Sequence, residues 1–240
     1  MCPTFDVLAA DASMLGILRW MQLPRFEDLA GSADATLDLL ALALAAAFRP
    51  VEAARALATL DGLGAEVVRV LDGSARTPRA EALALSHVLG TVHGFTGDTE
   101  QYDRPENSML DRVLERQRGL PILLSVVYVE AARRADVPLA GVGLPGHYVV
   151  AHFGAIEPLL LDPFSGGAEV TGDAPAALVR PWSPHETAMR MLNNLVPAFR
   201  RRGDLTRAIR AAEMRLALPA GTVEHDRVRA ELLALRAGLN

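Results

Sequence analysis

The sequence of residues 118–138 is RGLPILLSVVYVEAARRADVP. Pro121 suits the first position of an α-helix, where its missing N–H is not needed, and the pattern predicts a helix from there to about residue 135. This segment is apolar nearly all round until its arginines. Because such a helix is buried on most sides, we expect it to be the central helix of the domain.

Three strand candidates follow the central helix. They cover residues 140–144, 147–153 and 158–164, and the last two flank a turn around Gly154. Two such segments predict an antiparallel β-hairpin. A helix packed on a small antiparallel sheet indicates an α+β fold.

The residues before the central helix predict a helical lobe, since apolar residues recur at three- and four-residue spacings. The expected helices cover residues 36–48, 50–60, with a break at Asp61-Gly62, and 78–93. Met14, Trp20 and Met21 are expected to pack from an N-terminal helix. After a polar loop, Asn107 or Ser108 is expected to cap a helix that extends to Arg118.

The C-terminal part predicts a helical tail. Residues 173–184 contain three prolines and predict a linker, and helices are expected at 185–202, 205–218 and 223–237. We therefore divide the chain into residues 1–182 and a tail, 183–240. The tail resembles one tetratricopeptide (TPR) helical pair in its spacing, although a generic helical hairpin that packs on the core explains it equally well.

Composition excludes several classes of protein. The 240 residues carry a net charge of −5 and no lysine, which argues against a nucleic-acid binder and removes Schiff-base and phosphate-loop lysine chemistry. The single cysteine, Cys2, excludes a disulfide framework. The longest apolar stretch has ten residues, whereas a membrane span needs about 20. Asp6 and Asp11 interrupt any signal peptide, so we expect a cytoplasmic protein without a membrane partner.

His147 and Asp162 are the most informative polar residues. They lie on the two strands of the predicted hairpin and pair directly if the turn centres on residues 154–155. Directly opposed side chains share a face, and an aspartate beside an imidazole orients it as a general base. The same contact can also be purely structural.

The nucleophile for such a base is not evident. Ser125 is a candidate, but a serine in a buried helix usually bonds to a carbonyl one turn earlier, and Cys2 is distant in sequence. No histidines have the spacing of a metal site, and we expect no metal and no cofactor.

Four motifs resemble those of the SirB-type transglutaminase-like family of bacterial proteins, over about residues 86–170. They are DRPENS (103–108), RGLPI (118–122), PGH (145–147) and DPFSGG (162–167). The resemblance implies a papain-like core, in which a helix packs on an antiparallel sheet, and a TPR-like tail.

The resemblance also implies a site. In active relatives a cysteine opens the central helix, and histidine and aspartate come from the following strands; by position these are Pro121, His147 and Asp162. Proline cannot replace a nucleophilic cysteine. The implied binding cleft contains the following residues: Asn107, Ser108, Arg118, Pro121, Ser125, Tyr128, Pro145 and Gly146.

Two hypotheses follow. The first is a non-catalytic, regulatory module whose cleft binds a protein segment or a small ligand. The second is a hydrolase in which His147, oriented by Asp162, activates water, with Ser125, Asn107 or Tyr128 as polar partners.

Overall fold

The computed structural model describes residues 23–171 and 176–238. The expectations for Cys2, Met14, Trp20 and Met21 concern residues outside these ranges. Within them, no helix is both long enough and apolar enough to cross a membrane.

Helices dominate the described chain, and a four-stranded antiparallel sheet follows the first six of them. These six helices are α1 (Phe26–Ala30), α2 (Leu37–Ala46), α3 (Ala53–Leu71), α4 (Pro78–Leu85, continued by a π-helical segment, Ser86–Val92), α5 (Leu110–Arg116) and α6 (Pro121–Arg134). Those after the sheet are α7 (Pro184–Arg201), α8 (Leu205–Arg215) and α9 (Thr222–Ala237).

The strands form two sheets. They are β1 (Thr96–Gly97), β2 (Arg118–Gly119), β3 (Leu139–Leu144), β4 (His147–His152), β5 (Leu159–Asp162) and β6 (Ala168–Glu169). Strands β1 and β2 pair in parallel, and the other four form an antiparallel sheet in sequence order. The mixed helix-and-sheet fold is confirmed.

Helix α6 lies at the centre of the fold, as its composition indicates. Residues 121–128 are all buried, and the helix packs against α3, β3 and β4. The helix begins two residues after β2 and contacts strands of both sheets.

The break predicted at Asp61-Gly62 is wrong, because α3 continues through both residues to Leu71. Leu60, Leu63 and Val67 are buried and extend one apolar face across the predicted break. A glycine inside a helix costs about 0.5–1 kcal/mol, and burial of a single leucine or valine, worth about 1.5–3 kcal/mol, exceeds that cost.

The helix predicted from Asn107 or Ser108 to Arg118 is also shorter than expected. Both residues lie in a 3₁₀ turn, Pro105–Ser108, and α5 begins only after it. Asn107 does not cap α5, because its Oδ1, the atom that an N-cap residue uses as acceptor, accepts a hydrogen bond from Arg116 over 2.7 Å. Its Nδ2 donates to the carbonyl of Gln101 over 2.8 Å.

The three tail helices lie close to their predicted bounds. Ser183 and Glu186 form a capping box at the start of α7. Leu195 and Phe199 belong to the same buried cluster as α6, and the ring of Phe199 lies 5.2 Å from that of Phe48. The tail thus packs on the preceding helices, while the division at residue 183 and the TPR-like character stay predictions.

Candidate functional site

His147 and Asp162 come together at one end of the antiparallel sheet. His147 begins β4 and Asp162 ends β5, and Nε2 of the imidazole lies 3.1 Å from Oδ1 of the carboxylate. Their predicted direct pairing is wrong by two residues, since Val150 pairs with Leu161. A shift of two residues keeps a side chain on the same face of the sheet, so the contact forms despite the shifted register.

Asp162 is held by its own loop as well as by the histidine. Its Oδ1 accepts a hydrogen bond from the amide of Phe164 over 2.9 Å, and its Oδ2 accepts one from the hydroxyl of Ser165 over 2.8 Å. The carboxylate therefore caps the short 3₁₀ helix Pro163–Ser165. The position of the carboxylate therefore does not depend on His147. This independence suits a group that orients the imidazole, and it is equally consistent with a purely structural role for Asp162.

His147 is accessible, and α7 fixes its backbone. Its side chain is 36% exposed, and its carbonyl accepts a hydrogen bond from Arg190 over 3.2 Å. The guanidinium of Arg190 also lies over the rings of Tyr148 and Trp182. With Nε2 turned to Asp162, Nδ1 is the ring nitrogen left for another group.

Pro121 opens α6 at its first position and is buried. Its side chain has no sulfur, hydroxyl or amine, and its backbone has no N–H. The preceding residue, Leu120, occupies the N-cap and provides no side-chain cap. This position therefore offers neither a nucleophile nor a donor to a developing oxyanion.

Ser125 and Tyr128 lie fully buried on α6, three residues apart. Within the described residues, neither hydroxyl has a hydrogen-bond partner, so the expected bond from Ser125 to the previous turn is absent there. Burial, followed by the charge of Asp162, raises the pKa of Tyr128. A Cβ on Gly167, whose φ is +81°, would lie 2.6 Å from the Tyr128 hydroxyl, so this glycine permits the close approach of the DPFSGG loop.

Two of the predicted cleft residues, Asn107 and Arg118, have hydrogen-bond partners in the loops around β2. Asn107 is fully buried, and its Oδ1 accepts a hydrogen bond from Arg116 over 2.7 Å. Arg118 is exposed and donates to the carbonyl of Gly94 over 2.7 Å. These contacts give Asn107 and Arg118 structural roles in the loops around β2.

The PGH motif forms the turn between β3 and β4. Pro145 and Gly146 are exposed there, and Gly146 has a φ of +72°, which favours glycine. The motif therefore presents the imidazole of His147 from a tight turn rather than forming a pocket around it.

A cavity of about 280 Å³ lies beside the start of α6. The DRPENS loop, the residue before Pro121 and helix α7 line it together: Tyr102, Asp103, Arg104, Ser108, Leu120, Asn194, Pro197, Ala198 and Arg201. Sequence reasoning identified Ser108 but missed Asn194, because no local motif links the tail to this loop.

Within the described ranges, no group of three or more histidine, cysteine or acidic side chains is placed to bind a metal ion together. His152, on the same strand as His147, is buried and lies 2.7 Å from a carboxylate oxygen of Glu81. It serves the packing of β4 and not the exposed site.

Comparison with known proteins identifies the class of this core. Residues 54–201 match the family described as Transglutaminase-like superfamily. No solved structure matches the chain.

Several proteins are similar in sequence. A UPF0162 protein of Xylella fastidiosa (strain 9a5c) is 34% identical over 153 residues, which are 56% of this chain and 54% of that protein. A UPF0162 protein of Pseudomonas aeruginosa is 31% identical over 189 residues, 72% of this chain and 68% of that protein. F-box only protein 21 of Homo sapiens is 27% identical over 137 residues, 50% of this chain and 22% of that protein. The chain spans about half the length of the Xylella relative.

Proposed function

The chain belongs to the transglutaminase-like superfamily, and we propose that it is a non-catalytic member that binds a segment of a protein partner beside the start of α6. The observation that supports this proposal is Pro121 at the first position of α6. On this proposal the chain regulates its partner by binding.

The chemical argument concerns the covalent step of acyl transfer. His147 and Asp162 can accept and orient a proton, but a proline ring has no atom that can attack a carbonyl carbon. Loss of one member of a catalytic triad lowers the rate by several orders of magnitude. Pro121 also lacks the N–H that could donate to an oxyanion, and loss of one such donor typically costs about 10²–10³ in kcat.

The binding argument concerns what remains beside Pro121. The cavity of about 280 Å³ is lined by three apolar residues, Leu120, Pro197 and Ala198, and otherwise by polar or charged ones. Such a lining favours a polar or charged part of a partner. Helix α7 forms one wall, so the tail would contribute to recognition.

We extend the proposal in three ways. The four motifs favour SirB-type membership and, with it, a TPR-like contact surface on α7–α9. The composition favours a cytoplasmic location.

A second candidate function is hydrolysis with His147 as general base for water. The specific observation in its favour is the accessible imidazole 3.1 Å from Asp162. A positioned base contributes roughly 10²–10⁴-fold without a covalent intermediate. This candidate needs only the pair already present, and it differs from the first in that turnover would depend on His147.

An activity experiment separates the two functions. Wild type, His147→Ala and His87→Ala are assayed with a panel of p-nitrophenyl esters and for ammonia release from a glutaminyl peptide. His87 is exposed on the π-helical segment and serves as the matched control. We expect the same background rate for all three proteins, and turnover that is lost only in His147→Ala would establish the hydrolase instead.

A binding experiment tests the first function directly. Peptides selected from a display library on the wild type are measured against Asn194→Trp, which fills the cavity, and Arg200→Trp, which adds the same ring on an exposed position of α7. We expect at least tenfold weaker binding to Asn194→Trp only. An equal affinity for both variants, or no selected peptide, would overturn the proposal.

A further inference from the structure

The start of α6 has unsatisfied backbone donors. The first four amides of a helix have no acceptor within it, and the earliest bond here runs from the amide of Leu124 to the carbonyl of Leu120. Ile122 and Leu123 are buried, and within the described residues their amides donate to no acceptor outside the helix. These free amides and the positive end of the helix dipole make the start of α6 favourable for a hydrogen-bond acceptor.

Ser108 provides a second and independent donor beside the start of α6. The residue is 1% exposed and borders the cavity beside Leu120, and its hydroxyl makes no hydrogen bond to any side chain or backbone atom of the described residues. A ligand acceptor in the cavity would accept a hydrogen bond from this hydroxyl.

The rim of the cavity carries more positive than negative side chains. Arg104 and Arg201 line it together with Asp103, and Arg104 lies 3.2 Å from Glu106. The positive end of the α6 dipole lies beside Leu120. Arg201 lies 2.5 Å from Asp103, and both side chains are more than half exposed. An exposed ion pair of this kind contributes little, so the guanidinium can exchange Asp103 for the carboxylate of a ligand.

We propose that this cavity receives the carboxylate of one glutamate or aspartate side chain from the bound protein segment. The donors around the cavity suit an anionic acceptor, because Ser108 lies on the wall formed by the DRPENS loop, and Asn194 and Arg201 lie on the wall formed by α7. At about 280 Å³ the cavity is slightly smaller than the sites that hold drug-sized ligands, roughly 300–1,000 Å³, so it suits one side chain and not a long segment. This inference rests on the proposed binding function and specifies what that site recognises.

The test compares two isosteric probes. N-acetyl-glutamate methylamide and N-acetyl-glutamine methylamide are titrated into ¹⁵N-labelled protein at low ionic strength, and the amide shifts of Ser108, Ile122 and Asn194 are followed. We expect saturable shifts with a dissociation constant at least tenfold lower for the glutamate probe, and weaker binding as salt is added.

Variants assign the effect to the cavity. Arg201→Gln and Ser108→Ala are expected to weaken binding of the glutamate probe about tenfold or more, and Asp103→Asn is expected to strengthen it several-fold, because the competing carboxylate is removed. Arg200→Gln is the matched control, since Arg200 is the exposed neighbour of Arg201 and does not line the cavity. We expect it to change the affinity less than twofold.

The outcomes distinguish this inference from the proposed function. If library peptides bind beside α6 but the two probes bind equally, or Arg200→Gln matches Arg201→Gln, the binding function stands and carboxylate recognition is wrong. If neither probe nor any library peptide binds, both are wrong.

Discussion

Replacement of Arg134 by methionine is expected to destabilise the protein strongly, because this arginine neutralises two buried acids. Its guanidinium lies 2.7 Å from Asp38 and 2.7 Å from Glu130, whose side chains are 3% and 1% exposed. Arg133 also contacts both acids but is about half exposed. The variant therefore buries two carboxylates with only one solvated cation beside them.

The magnitude follows from burial. Removal of one partner from a buried ion pair costs about 3–5 kcal/mol, since the remaining charge stays desolvated. For a protein of this size 1 kcal/mol corresponds to about 2–4 °C in Tm, so we expect a decrease of roughly 6–20 °C. Arg79→Met is the control: its pair with Glu169 is exposed on both sides, and loss of such a pair costs about 0–1 kcal/mol.

The pH dependence gives a second readout. Burial favours a raised pKa for Asp38, but hydrogen bonds from Thr36 and Arg134 lower it overall. In the wild type Asp38 therefore stabilises the fold above its unfolded pKa, and this contribution is lost as pH falls through the lower, folded pKa. Burial, followed by the charge of Asp38, raises the pKa of Glu130, so its contribution to stability decreases as pH rises.

Without Arg134 only the solvated Arg133 offsets the desolvation of the two acids. We therefore expect both acids to bind protons more readily in the folded variant than in the unfolded chain. The difference in unfolding free energy between wild type and Arg134→Met should therefore shrink as pH is lowered from 7 to 5. Urea unfolding followed by circular dichroism measures it at both pH values. A cost below 1 kcal/mol at pH 7, or a cost that does not change with pH, would refute the reasoning.

Three further predictions concern the site and its supports. Gly167→Ala should destabilise the fold by about 1–3 kcal/mol, because the φ of Gly167 is +81° and the new Cβ would lie 2.6 Å from the Tyr128 hydroxyl. Gly62→Ala in α3 should stabilise the fold by about 0.5–1 kcal/mol, because the new Cβ would meet no atom within 4 Å. Thermal unfolding that ranks the two variants in the opposite order would contradict this. Tyr128→Phe should be neutral or slightly stabilising in urea unfolding, because the removed hydroxyl is buried without a partner among the described residues; a loss above about 1 kcal/mol would reveal a partner. Asp162→Ala should lower the free energy of unfolding by about 0.5–2 kcal/mol, because the hydrogen bond from the amide of Phe164 is lost. Asp162→Asn keeps an acceptor for that amide and should lose less. Equal losses in the two variants would assign the role of Asp162 to its charge beside His147.

The local sequence determined the elements that depend on composition and spacing. The nearly continuous apolar face after Pro121 can be stable only if it is buried, which is why the central helix was predictable at both ends. The hairpin was predictable because β-prone segments flank Gly154, and the His147–Asp162 contact survived a register error of two residues because side chains alternate with period two.

Tertiary structure decided what depends on distant partners. Helix α3 continues through Asp61-Gly62 because its buried face compensates the glycine, and Asn107 faces Gln101 and Arg116 instead of capping a helix. The cavity beside Leu120 exists because α7 places Asn194 and Arg201 against the DRPENS loop. No spacing within either segment encodes that contact, since it arises only when the tail buries its apolar face on the core. The family resemblance of the sequence thus predicts a proline where active relatives have the nucleophile, and only the packed chain forms the cavity beside it.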